Sequence, residues 1–257
     1  MHELRPPPTL CPNCRAEHDG LEAECLRCGV IFAKFKPLSR RRSSSEAPGA
    51  GVSTRAVPSL SGLWLTLKDA ALTVEERVNP FVLGGRALVF AGLVLWGWRL
   101  MTASIASNYV GESFMHLINL PFHEAGHIFF APLGRFMRVL GGSLAQLLVP
   151  ALCLGTFLFR QRNPFGASVA LWWLAESLMD LAPYINDARA LDLILIGGVT
   201  GKDVEDYHDW EYILRTLGWL EHDHTLAVLA HGTGTFLMMG SFVWGGYLLL
   251  RQRKRVK

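Results

Sequence analysis

His123-Glu124-Ala125-Gly126-His127 sets two imidazoles four residues apart with a carboxylate beside the first. On an α-helix, residues i and i+4 share a face, so both rings can grip one Zn²⁺ while Glu124 takes a proton from an attacking water. That is the donor arrangement of a zinc hydrolase. The alternative for the same residues is a pair of helix-capping or interhelical histidines with a partnered glutamate. The setting favours chemistry: apart from the motif, residues 113–134 are uncharged and largely apolar. A charged side chain at membrane depth costs about 2.5–3.5 kcal/mol or more, and such residues face a bundle interior or a functional cavity.

Catalytic zinc takes three protein ligands and keeps a fourth position open, so two histidines are one donor short. Asp187, in Leu181-Ala182-Pro183-Tyr184-Ile185-Asn186-Asp187-Ala188, is one candidate. Glu176, with Asp180 four residues on, is another, and His208 of His-Asp-Trp is a third. Each has a structural alternative. Asp187 and Asp209 suit helix caps, the Glu176/Asp180 pair could bond Arg99 or backbone, and His208 could be solvated. Gly141-Gly142-Ser143 and Gln146 suit either a cavity lining or helix packing.

A second metal-type pattern stands near the start of the chain, where Cys11-Pro-Asn-Cys14 is followed by Cys25-Leu-Arg-Cys28. Two CxxC turns supply four thiolates, which complete a tetrahedral zinc shell. Two disulfides would suit an oxidising compartment, but residues 1–8 are polar and proline-rich and do not read as a secretion signal. Residues 24–34 resemble the short zinc ribbons that head many bacterial proteins. A module of this size has too little core to fold without its metal.

The elements that must position these groups are membrane helices. Half of the 257 residues are hydrophobic and 18% are charged, with a mean hydropathy of +0.24, which argues against an ordinary soluble domain. Hydrophobic segments near the ~20 residues needed to cross a bilayer occupy 87–106, 139–159, 164–185 and 225–250, and the HEAGH segment adds a fifth. The first is interrupted by Arg99, and a short apolar run at 190–201 is a candidate sixth. The expected architecture is mostly α: a polytopic transmembrane helix bundle of five to six hydrophobic segments, preceded by a small zinc ribbon. The chain divides into the ribbon (1–36), a Ser/Pro/Gly-rich flexible linker (37–59), an amphipathic helix (60–80) and a transmembrane metallopeptidase-like domain (81–257). Residues 200–224 are acidic and read as a loop with one short helix.

Positive charge gathers at Lys34, Lys36, Arg40, Arg41 and Arg42 before the membrane region and at Arg251, Arg253, Lys254, Arg255 and Lys257 after it. Basic flanks mark the cytoplasmic side, so both ends are expected there, in a bacterial inner membrane. Five complete crossings would separate them. One segment is therefore expected to re-enter without crossing, the HEAGH stretch or the 141–150 region, unless 190–201 adds a sixth passage.

From about residue 85 to 250 the chain resembles the site-2 protease family of intramembrane zinc metallopeptidases. The likeness rests on His123-Glu124-Ala125-Gly126-His127 in an apolar helix and on a proline-and-aspartate segment about 60 residues later. It implies that His123 and His127 bind zinc, that Glu124 activates water, that Asp187 is the third ligand, and that the substrate is a membrane protein or peptide. The chain departs from the family's Asn-x-x-Pro-x-Pro-x-Leu-Asp-Gly pattern in having only Pro183 and in reading Asp187-Ala188, which keeps His208 and Glu176 as rival ligands. Two other functions remain open, a non-catalytic membrane zinc adaptor whose ribbon recruits a cytoplasmic protein, and a membrane zinc hydrolase acting on a non-peptide substrate. Nucleic acid is not an expected partner.

Overall fold

A computed structural model of the chain describes residues 9–11, 16–18, 23–28, 31–32 and 60–256, in two units, Met1–Ala56 and Val57–Lys257. The first contains two short strands, β1 (Thr9–Leu10) and β2 (Glu17–His18). They pair antiparallel, Thr9 opposite His18 and Leu10 opposite Glu17. A second closure joins Glu24 to Ile31 in an antiparallel bridge. These pairings flank the described cysteines, and Cys11, Cys25 and Cys28 converge. Cys14 and the 37–59 linker lie outside the described residues.

The second unit is helical: α1 (Leu60–Leu72), α2 (Pro80–Thr102), α3 (Phe114–Phe130), α4 (Arg135–Gly155), α5 (Pro164–Asn186), α6 (Asp209–Leu217) and α7 (Asp223–Arg253). Starts follow local chemistry. Asn79, Ser113 and Asn163 each accept a backbone N–H of the first turn with their side chains, satisfying donors that a helix leaves unpaired, and α2 and α5 carry proline at their first position. Three helices are long and apolar enough to cross a membrane: α2, α4 with its π-helical extension to Arg160, and α7 with the preceding turn from Leu220.

Two expectations change. The amphipathic helix expected over 60–80 stops at Leu72. The apolar run 190–201 forms no helix, because Gly197 and Gly198 adopt φ of 89° and 78° and a turn closes from the Leu195 N–H to the Val199 carbonyl at 2.7 Å. A sixth helical crossing there is excluded.

Helix α5 is the hub, buried along most of its length. Its first turn meets the far end of α7, where Phe165 and Leu248 pack with Val74. Its last turns meet the start of α7, where Leu181 and Ile185 pack with Ala227, so α5 and α7 run antiparallel. The Val78 N–H donates to the Arg255 carbonyl at 3.2 Å, which puts the beginning of α2 beside the end of α7. The unit therefore begins and ends on one face of the bundle.

Helices α3 and α4 touch backbone to backbone. A Cβ added at Gly126 would lie 2.2 Å from the Gly141 carbonyl oxygen, and one at Gly141 would lie 2.7 Å from that of Gly126. Gly142 gives way to the histidines: its Cβ would fall 2.5 Å from His123 Nε2 and 2.7 Å from His127 Cε1. The motif's own glycine is thus explained by helix contact, a common use of small residues between membrane helices. Gly126→Ala is expected to lower stability by about 1–3 kcal/mol through overpacking, while Gly92→Ala, where a Cβ meets nothing within 4 Å, should not. Denaturant titration in micelles checks the pair, and equal stability of the two variants would refute the contact.

Candidate metal centre

His123 and His127 stand one turn apart on α3, and each gives the proton on Nδ1 to a carbonyl oxygen. His123 Nδ1 is 2.9 Å from Gln146 Oε1, and His127 Nδ1 is 2.9 Å from the backbone oxygen of Arg138. The Gln146 amide cannot be reversed without loss, because its Nε2 donates to Asp180 Oδ2 at 2.9 Å. A carbonyl only accepts, so both rings carry hydrogen on Nδ1, and in the neutral tautomer both present a lone pair at Nε2. These two Nε2 atoms aim at one oxygen, Asp209 Oδ2, at 3.0 and 3.2 Å.

In that tautomer three acceptor atoms face one another, and either a metal cation among them or a proton on one Nε2, giving an imidazolium–carboxylate pair, relieves the repulsion. For Zn–N and Zn–O bonds of about 2.0–2.1 Å, tetrahedral geometry puts ligand atoms roughly 3.3–3.4 Å apart, close to the observed separations. The hydrogen bonds to Gln146 and Arg138 are the kind that fix the tautomer and ring plane of metal-binding histidines. The residues therefore fit a zinc site with three protein donors and an open position.

Asp209 was not among the expected ligands. Asp187 and His208 were, and the structure gives them different work. Asp187 accepts the backbone N–H groups of Asp192 and Leu193 at 2.9 and 3.0 Å, while His208 Nε2 faces its Oδ2 at 3.4 Å. His208 Nδ1 accepts the Glu211 N–H at 3.2 Å, so the proton sits on Nε2, toward Asp187. Burial would raise the Asp187 carboxyl, but the hydrogen bonds from His208, Leu193 and Asp192 outweigh it and hold it below the usual carboxylate range. Tyr184 lies against the His208 ring with centroids 4.3 Å apart, and its hydroxyl oxygen accepts the Asp209 N–H at 2.9 Å. Asp187, His208 and Tyr184 thus hold the loop end that delivers Asp209.

Glu176 also stands away from the two histidines. It is fully buried, accepts the Asn119 side-chain amide at 2.9 Å and leaves its Oε1 without a partner. Glu124 lines a cavity of about 600 Å³ with His123, His127 and Asp209. It has no hydrogen bond or ion pair among the described residues. Farther out, Arg135 and Arg215 bond Asp206 at 2.7 and 2.6 Å and hold its carboxyl below the usual range.

In the head, Cys11 Sγ and Cys28 Sγ are 3.7 Å apart, too far for a disulfide of about 2.05 Å and near the ~3.8 Å edge of a tetrahedron built from Zn–S bonds of about 2.3 Å. Cys25 completes a triad whose sulfurs lie within 4.8 Å of one another. The chain matches no known family model, no curated protein and no solved structure.

Two metal-binding groups predict about two zinc ions per chain. Asp209→Ala should remove the equivalent held by the helical unit, whereas Asp187→Asn should retain it. Elemental analysis after gel filtration measures both. Retention by the first variant together with loss by the second would return the ligand role to Asp187.

Proposed function

We propose that this chain is a membrane-embedded zinc metallopeptidase in which His123, His127 and Asp209 hold the metal and Glu124 is the general base. The observation that carries this reading is the convergence of two imidazole Nε2 atoms and a carboxylate oxygen next to an unpaired carboxylate, in a cavity among long apolar helices. Zinc in such a site acts as a Lewis acid toward a carbonyl and lowers the pKa of a coordinated water to about 7. Glu124 takes the proton of the attacking water and returns it to the leaving amine. Gln146 and the Arg138 carbonyl keep both imidazoles aimed, and Tyr184 steadies the backbone of Asp209.

A structural zinc would need a closed shell of four donors. His208, the fourth donor that such a site would recruit, instead points its Nε2 at Asp187. Among the described residues, three donor atoms meet, which supports an open position and hence catalysis. The resemblance to site-2 proteases agrees in the two histidines, the glutamate and an aspartate from a later segment, with Asp209 in the position expected of Asp187.

The same reading proposes four membrane passages, the three long apolar helices and α5. Helices α2, α4, α5 and α7 make four crossings, with α5 enclosed by the others. Helix α3 re-enters and leaves on the face from which it came, which returns the chain to the face where it started. By the distribution of basic residues that face is cytoplasmic, in a bacterial inner membrane, with the zinc ribbon available there to a protein partner. The substrate is a peptide segment of a membrane protein.

Glu124→Gln should keep the metal and reduce turnover by about 10²–10⁴-fold. The measurement is zinc content together with mass-spectrometric detection of new termini in a detergent-solubilised membrane-peptide mixture. Loss of zinc, or undiminished cleavage, would sink the assignment of Glu124 as base.

A further inference from the structure

We infer that His116 is a second substrate-binding group, a hydrogen-bond donor that selects a carboxylate side chain about three residues from the bond to be cut. The inference rests on the peptidase reading above. His116 precedes His123 by two helical turns on the same face of α3, about 10 Å along the axis, and both line the same cavity. A substrate strand advances about 3.3 Å per residue, so a group opposite His116 sits about three residues from the metal.

The chemistry of His116 is set by Asp180. That carboxylate is buried and accepts from Asn119 Nδ2 at 3.0 Å, Gln146 Nε2 at 2.9 Å and His116 Nδ1 at 3.0 Å. Both amides are held in the donating sense, Asn119 because its Oδ1 accepts Trp173 Nε1–H at 2.8 Å and Gln146 because its Oε1 accepts from His123. Both are also neutral. Glu176 adds a second acidic group on the same Asn119 amide. Among the described residues, His116 is the one contact able to balance the buried charge. A buried carboxylate without a counter-charge is costly, so the pair is an imidazolium and a carboxylate.

The imidazolium keeps an Nε2–H with no partner among the described residues, on a side chain that is 38% exposed. Leu120, one turn on along α3, and Leu181, next to Asp180, line the same cavity, as does Asn108. A charged donor in such surroundings favours a carboxylate over a neutral acceptor. The cavity also presents Glu124, Asp206, Asp209 and Arg138, so the His116 variants below separate a preference set by His116 from one set by Arg138.

The test uses the zinc-loaded full-length protein in micelles and short apolar peptide hydroxamates that chelate the metal. The third residue from the hydroxamate is Asp, Asn or Leu, with probes built in both chain directions and affinities read by calorimetry. In one direction the Asp probe should bind about tenfold tighter than the Asn probe. His116→Gln and His116→Phe should remove that preference, leave the Leu probe unchanged and retain about two zinc ions per chain. Hydroxamates that bind with no Asp preference in either direction, or a preference that survives in both His116 variants, overturn the inference and leave the peptidase reading intact. Failure of every hydroxamate to bind removes the open metal position, and the inference with it.

Discussion

Two imidazoles that each surrender a proton to a fixed carbonyl oxygen are the constraint on which the rest of the site depends. Once Gln146 and Arg138 have claimed the Nδ1 edges, both Nε2 atoms are turned toward one aspartate oxygen, an arrangement that suits three donors around a cation. The fold is organised to sustain that otherwise unfavourable meeting. Gly126 and Gly141 let α3 and α4 approach until the rings lie against a helix with no side chain at Gly142. Interior amides direct their hydrogens to Asp180, so the polarity that begins at Trp173 and His123 ends on one buried anion.

The polar interior is therefore one connected system. Leaving any member unpaired in a low-dielectric bundle would cost more than a hydrogen bond is ordinarily worth. This gives α5 its composition: Glu176, Ser177 and Asp180 interrupt an apolar helix where α3 and α4 need anchoring. It also explains why α5 sits inside the bundle, with its acids turned to protein and not to lipid.

How much of this could be read from the residues alone depends on the range of the contact. Helices α2, α4 and α7 follow from runs of apolar side chains, and the histidine pair follows from a four-residue spacing, both local patterns. Asp209 could not be recognised that way, since it meets His123 and His127 only through the return of a long loop, and beside a helix start it looks like a cap. Asp187 drew attention because it follows an apolar helix, as a related motif would, yet its carboxylate is consumed by the backbone of the loop it begins. One signal was present: Asp209 follows His208, itself a candidate donor, in an otherwise solvated acidic stretch. The run 190–201 misleads for the opposite reason, since its apolar residues face a cavity and its paired glycines bend the chain.

The order in which donors occur along the chain also matters during synthesis. His123 and His127 emerge early, whereas Asp209 follows about 80 residues later, a delay of roughly 4–16 s at ~5–20 residues per second. Helix α5 and the loop after it must be made before the third donor exists. A nascent chain therefore lacks the three-donor group of His123, His127 and Asp209 while its first helices form, and gains it only after α5 and the following loop have been translated. The linear arrangement works as a timer for assembly of the metal-binding group.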